Sequence, residues 1–131
     1  MGYTNYWKSQ GSSLNLDVPA EFEQAKDFGF ATMLSNLLEN AFIAVCKVPD
    51  SQERKVSVRI EPKKEQLIIE IRNNYFGKLD ISRETGLPVT DKVDGHGYGL
   101  VSVSNYARKS GALLKFRPEG QLLIVQYITN L

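Results

Sequence analysis

The chain has 131 residues, 42% of them hydrophobic, enough for one domain with a real core. Sixteen basic against fifteen acidic residues leave a net charge of +1, so no global field recruits nucleic acid or an anionic membrane, and any anion site must be local. Cys46 is the single cysteine, which excludes an internal disulfide framework and a cysteine-rich zinc site and suits a reducing compartment.

Residues 1–13 mix Tyr3, Tyr6 and Trp7 with Gly, Ser and Asn, have no signal-peptide core, and read as a linker or the end of a preceding helix. The domain itself is expected over 14–131. Leu14, Leu16 and Val18 alternate with polar residues, which suggests a short strand that Pro19 ends. From about Ala25 to Val48 the apolar residues fall at helical spacing, with Met33, Leu34, Leu37, Leu38, Ala41, Ala44 and Val45 in one stripe and Asn36 and Asn40 along its edge. Pro49-Asp50-Ser51 stops this helix. No run approaches the ~20 apolar residues that cross a bilayer, so no membrane contact is expected of this domain.

Lys55 to Glu61 and Leu67 to Arg72 alternate and form a predicted hairpin about Glu61-Pro62-Lys63-Lys64-Glu65. A second hairpin joins Leu113–Arg117 to Leu122–Thr129 through Pro118-Glu119-Gly120, and Gly111 separates it from a helix that begins near Gly99. Tyr75 to Asp94 fits neither period, and its length suits a mobile lid over a ligand. This order predicts an α+β fold: a two-layer α/β sandwich with a mostly antiparallel sheet and the helices on one face.

Three stretches carry chemistry. Asp94-Gly95-His96-Gly97-Tyr98-Gly99-Leu100 sets glycines at alternate positions before an apolar-periodic segment, Val101 to Arg108. Backbone N–H groups at such a helix start, with the positive end of the helix dipole, form a seat for phosphate; on its own the pattern is equally a flexible loop. Asn36 and Asn40 stand one helical turn apart, and an amide oxygen is a suitable hard ligand for Mg²⁺, though two surface amides can equally be satisfied by water. The strand-like run before the lid ends in Asn73-Asn74-Tyr75-Phe76-Gly77, otherwise an ordinary turn.

Together and in this order, these stretches resemble the N, G1 and G2 boxes of the GHKL ATPase superfamily, which includes topoisomerase and chaperone ATPases, mismatch-repair proteins and histidine kinases. The resemblance implies that ATP binds between the long helix and the lid. It implies Asn40 as the Mg²⁺ ligand, Asn36 and Asn40 as the catalytic pair, and Asn73 and Gly77 as the remnant of an Asp-x-Gly-x-Gly box at adenine. Asn73 keeps an acceptor for the adenine amino group, and on sequence alone Asp would serve there as well. Lys92 is placed beside the phosphates, with Gly95, His96, Gly97, Tyr98, Gly99 and Leu100 forming the phosphate loop. No second His, Cys or carboxylate accompanies His96 in sequence as in a triad or a metal site.

Hydrolysing members carry a glutamate where this chain has Asn36, whereas histidine kinases usually carry asparagine; an amide cannot act as a general base near neutral pH. Asn73, with Gly86-Leu87-Pro88-Val89-Thr90 and Lys92 ahead of the glycine run, resembles the peptide-pheromone quorum-sensing kinases of the agr type. Ile43 departs from that pattern. The resemblance then implies the catalytic domain of a sensor kinase whose acceptor histidine lies on a separate dimerisation domain that would precede Met1. A response regulator would be an indirect partner, and the domain would be the cytoplasmic part of a membrane protein. The alternatives are a nucleotide-binding regulatory module without phosphotransfer and a serine kinase of the anti-sigma type.

Overall fold

The computed structural model describes residues 2–5, 27–89 and 97–131. The strand expected at Leu14–Val18 lies outside them. In chain order come β1 (Gly2–Asn5), α1 (Phe28–Cys46), a 3₁₀ turn (Ser51–Glu53), β2 (Val56–Lys63), β3 (Gln66–Asn74), α2 (Gly97–Ser110), β4 (Leu113–Glu119) and β5 (Leu122–Asn130). The strands form one antiparallel sheet in the order β1-β2-β3-β5-β4. The fold is therefore the expected α+β sandwich. Residues 2–5 correct the reading of the N-terminus as linker or helix end. They pair with the otherwise open edge of β2, and such edge pairing uses backbone groups and needs no alternating apolar pattern.

The alternation of β2, β3 and β5 places one residue in two on the helix-facing side, and the register stacks them in rows. Val58, Ile71, Val125 and Phe116 form one row, and Ile60, Ile69, Tyr127 and Leu114 the next. All but Leu114 are buried. Phe30 of α1 meets the ring of Tyr127 edge-on, with centroids 6.3 Å apart.

Both hairpins are tighter than their prolines suggested. Lys63 pairs with Gln66 across a two-residue turn, and Glu119 with Leu122. Lys64 and Gly120 take positive φ, as such turns demand. Pro62 and Pro118 stand one residue before the turn, where the missing N–H points away from the partner strand. Each strand therefore runs through its proline instead of stopping at it.

Helix α1 begins later than its periodicity implied because Asp27 caps it, its Oδ1 accepting from Gly29 N at 2.9 Å. At the other end the Arg54 guanidinium donates to the carbonyls of Val48 and Cys46, groups that helix geometry leaves open. By length and hydropathy α1 passes for a membrane span, because Glu39 is its one charged residue; the expectation that no such run exists is corrected on that point. In the fold it packs against β3 and α2 through Phe30, Met33, Leu34, Leu37, Ala41 and Val45, as a core helix does.

On the opposite side of the sheet, Glu70 is 4% exposed and accepts from Arg72 Nε at 2.9 Å and Gln126 Nε2 at 3.0 Å. Burial opposes its ionisation, but these hydrogen bonds and the charges of Arg72 and Arg59 outweigh it and hold the carboxyl below its ordinary range. The stability this group contributes is therefore present above the unfolded-state pKa and lost as pH falls through the lowered folded-state value. Glu70→Gln is expected to cost about 1 kcal/mol at neutral pH and to flatten the acid limb of a denaturation series. A variant with an unchanged acid limb would show that this group is not linked to folding.

Candidate functional site

Two helices built from different motifs lie antiparallel over the sheet. Near one end of the pair, a Cβ on Gly29 would meet Tyr106 Cε1 at 2.9 Å, so any larger residue would displace the Tyr106 ring. Asp27 ties the same point, since its Oδ2 accepts from the Tyr106 hydroxyl at 2.8 Å. Burial, and then this bond to Asp27, push the Tyr106 phenol up to about 12. At the opposite end, a Cβ on Gly99 would lie 3.7 Å from Asn36 Cγ. The Asn pair and the glycine run are thereby brought together by the fold.

Helix α2 starts at Gly97, two residues before the sequence boundary. Its first turn is Gly97-Tyr98-Gly99-Leu100, and the N–H groups of Gly97, Tyr98 and Gly99 have no carbonyl within the helix to bond. Leu100 points inward and is 2% exposed. Asn36 and Asn40 are both half-buried, where α1 leaves the core on its α2 flank. Glu39, the nearest spare carboxylate, is exposed, and with Ser35, Leu38, Phe42 and Ile43 it lines a groove on the surface of α1.

Asn73 ends the helix-facing side of β3, in a row with Val56, Leu123 and Pro118. It is 1% exposed, and its Nδ2 donates to the carbonyl of Asn74 at 3.1 Å. Its Oδ1 is buried and has no hydrogen-bond partner among the described residues. An open acceptor of this kind costs about 1–3 kcal/mol unless a ligand supplies the donor.

The segment after β3 is more ordered than a lid without regular structure. Tyr75 N donates to Gln121 O and its hydroxyl to Gly120 O, tying the exit of β3 to the β4–β5 turn. Ile81 bridges Pro88, Ser82 N donates to Leu87 O, and Leu87 joins the core with Leu79 and Ile81 packed against it. One bridge is too short to leave a period in the sequence. Gly77, at φ +85, makes the turn that opens this segment. Lys92, Gly95 and His96 lie outside the described residues, as does the rest of the lid expectation between residues 90 and 94.

Sequence reasoning passed over Asn74, Asp27 and Tyr106. Asn74 carried a signal as the second amide at a strand end, but its partners are 19 and 21 positions upstream. The Asp27–Tyr106 pair spans 79 positions and left none.

The first turn of α2 thus stands against Asn36, and the end of β3 carries a buried acceptor with no donor among the described residues. Residues 26–129 match the family model described as the GHKL domain. The chain belongs to the GHKL family. No curated protein matches it. As a GHKL domain it is an ATP-binding module.

The spacing at Gly99 separates binding from stability. Its position in a helix makes Gly99→Ala favourable to folding by up to about 1 kcal/mol, and the methyl would meet Asn36 at an ordinary contact distance. The same methyl would stand on the surface where the resemblance places phosphate. Gly99→Ala is expected to raise the melting temperature while weakening ATP at least about fivefold. Unchanged ATP affinity would place the phosphates away from this turn.

Proposed function

We propose that this GHKL domain is the ATP-binding catalytic domain of a sensor histidine kinase, similar to the peptide-pheromone receptor kinases of the agr type. It binds Mg²⁺-ATP and presents the γ-phosphoryl group to a histidine on a dimerisation domain outside these 131 residues. A response regulator then receives the phosphoryl group. The full-length protein sits at the membrane with this domain on the cytoplasmic side.

The observation that carries this reading is the amide, not carboxylate, that α1 sets against Gly99 of the glycine run. Asn36 can orient a phosphoryl oxygen but cannot take a proton from water. The nucleotide is therefore held without efficient hydrolysis until an acceptor is brought to it. Phosphoryl transfer relies on positioning and charge stabilisation, which the first turn of α2 supplies through its N–H groups and dipole.

Asn40 fits a magnesium site, being a neutral oxygen donor one turn from Asn36. Among the described residues no three His, Cys, Asp or Glu side chains cluster to hold a metal, which suits an ion held by one protein oxygen, waters and the triphosphate. When bound, Mg²⁺ neutralises charge on the β- and γ-phosphates. Lys92 adds a cation to the phosphates, and Gly95 and His96 belong to the phosphate loop, with His96 as a loop residue and not the acceptor.

Asn40→Ala is expected to weaken Mg²⁺-ATP at least about tenfold while leaving adenosine nearly unchanged. Equal losses for both ligands would mean a damaged helix and no metal role. With γ-labelled ATP the chain alone should stay unlabelled, and a dimerisation domain added in trans should acquire acid-labile label. Acid-stable label on the partner would favour the serine-kinase class. ATP binding without any transfer would favour a regulatory module.

A further inference from the structure

The orientation of the Asn73 amide is fixed by its neighbour, and that neighbour is itself fixed from another element. Asn74 Oδ1 accepts from Lys55 N at 2.9 Å, and its Nδ2 donates to Glu53 O. Asn74 N also donates to Lys55 O at 3.3 Å. Three hydrogen bonds thus hold Asn74 to the segment that opens β2. That segment is braced in turn: Asp50 caps the 3₁₀ turn that carries Glu53, and Arg54 grips the C-terminal carbonyls of α1.

With Asn74 held in this way, its carbonyl oxygen faces the Asn73 side chain at 3.1 Å. Only the NH₂ end of an amide can donate to a carbonyl. Flipping Asn73 would set two acceptors against each other in a nearly dry site, where repulsion is weakly screened. Oδ1 is therefore the atom turned outward, and it has no partner among the described residues. A 6-amino purine offers it an N–H donor. A 6-oxo purine offers it a second acceptor.

We propose that Asn74 is a positioning residue which, through its braced carbonyl, locks the Asn73 amide with the acceptor outward and so sets the site's preference for 6-amino over 6-oxo purine nucleotides. This rests on the nucleotide-binding reading above and goes beyond it in naming what enforces base choice. It also revises the equivalence of Asn and Asp at position 73. A carboxylate there sets an oxygen against the Asn74 carbonyl, which only its protonated form tolerates, with the hydroxyl donating to Asn74 and the other oxygen free to accept. Burial and that acceptor both raise the pKa of such an Asp.

Among the described residues no carboxylate, Lys, Arg or His shares the two helix-facing rows nearest Asn73. The row contains Val56, Leu123 and Pro118; the next contains Val58, Ile71 and Val125; the face that α1 buries on the sheet is apolar. Glu53 contributes its main-chain carbonyl and Lys55 its main-chain amide.

The test is titration of the 131-residue chain with Mg²⁺-ATP and Mg²⁺-ITP, which differ at the purine 6-position. The starting chain is expected to favour ATP at least about tenfold, the scale of one hydrogen bond in a dry site. In Asn74→Ala the amide is freed to flip, and the preference should shrink to within about threefold while unfolding remains cooperative. A purely structural role would weaken both nucleotides and keep their ratio, and that result overturns the proposal. Asn73→Asp supplies a second arm should Asn74→Ala fail to fold. Measured against the starting chain at each pH, its ATP affinity should be close to normal at low pH and fall as pH rises through the raised carboxyl value. ATP affinity equal to that of the starting chain from pH 5.5 to 8.5 overturns the lock but leaves nucleotide binding intact. A starting chain that binds neither nucleotide overturns both.

Discussion

The seating of α1 on the helix-facing side of β2 and β3 fixes where every other functional group falls. That seat is apolar and continuous: Val58, Ile60, Ile69 and Ile71 meet the stripe running from Phe30 to Val45. Burial of this kind is non-directional and sets no rotation of the helix by itself. Rotation is set by polar detail at the ends, where Asp27 caps α1 and accepts from Tyr106, and Arg54 ties the last turn to the entrance of β2. With both ends held, Asn36 lies against Gly99 of α2, Asn40 follows one turn on, and Glu39 is exposed. The chemistry of the site is decided by that rotation.

Against this apolar seat, Asn73 is an exception. A buried amide with an idle acceptor reduces stability, and Val at the same place would continue the row. The cost is of the order of 1–3 kcal/mol, a noticeable share of the margin of a small domain. A fold selected for stability alone would not keep it, and a donor arriving with a ligand removes it. The idle oxygen, the first turn of α2 and the two amides of α1 together suit a molecule with a donor-bearing base at one end and phosphates at the other.

The sequence carried the parts of this that depend on local pattern. Alternation of Val, Ile and Leu marked all four hairpin strands, and the spacing from Met33 to Val45 marked α1 and placed Asn36 and Asn40 on its edge. Boundaries slipped where a single residue overrode the pattern: Asp27 as a cap, and Pro62 and Pro118 in positions that ask nothing of a missing N–H. β1 left no trace, because Gly2-Tyr3-Thr4-Asn5 is recruited by an open backbone edge. The seat of the amides against glycine was inferred through the resemblance, whereas the bracing of Asn74 by Glu53 and Lys55 is a long-range contact that no window of sequence contains.

In the proposed function the idle Asn73 oxygen and the first turn of α2 hold the two ends of one nucleotide. A crystal structure of the chain with Mg²⁺ and a non-hydrolysable ATP analogue tests it directly. The expected result has the adenine amino nitrogen within hydrogen-bonding distance of Asn73 Oδ1, and the phosphates against the N–H groups of Gly97 to Gly99. A nucleotide bound elsewhere, or one in this cleft that leaves Asn73 Oδ1 without a donor, would contradict it.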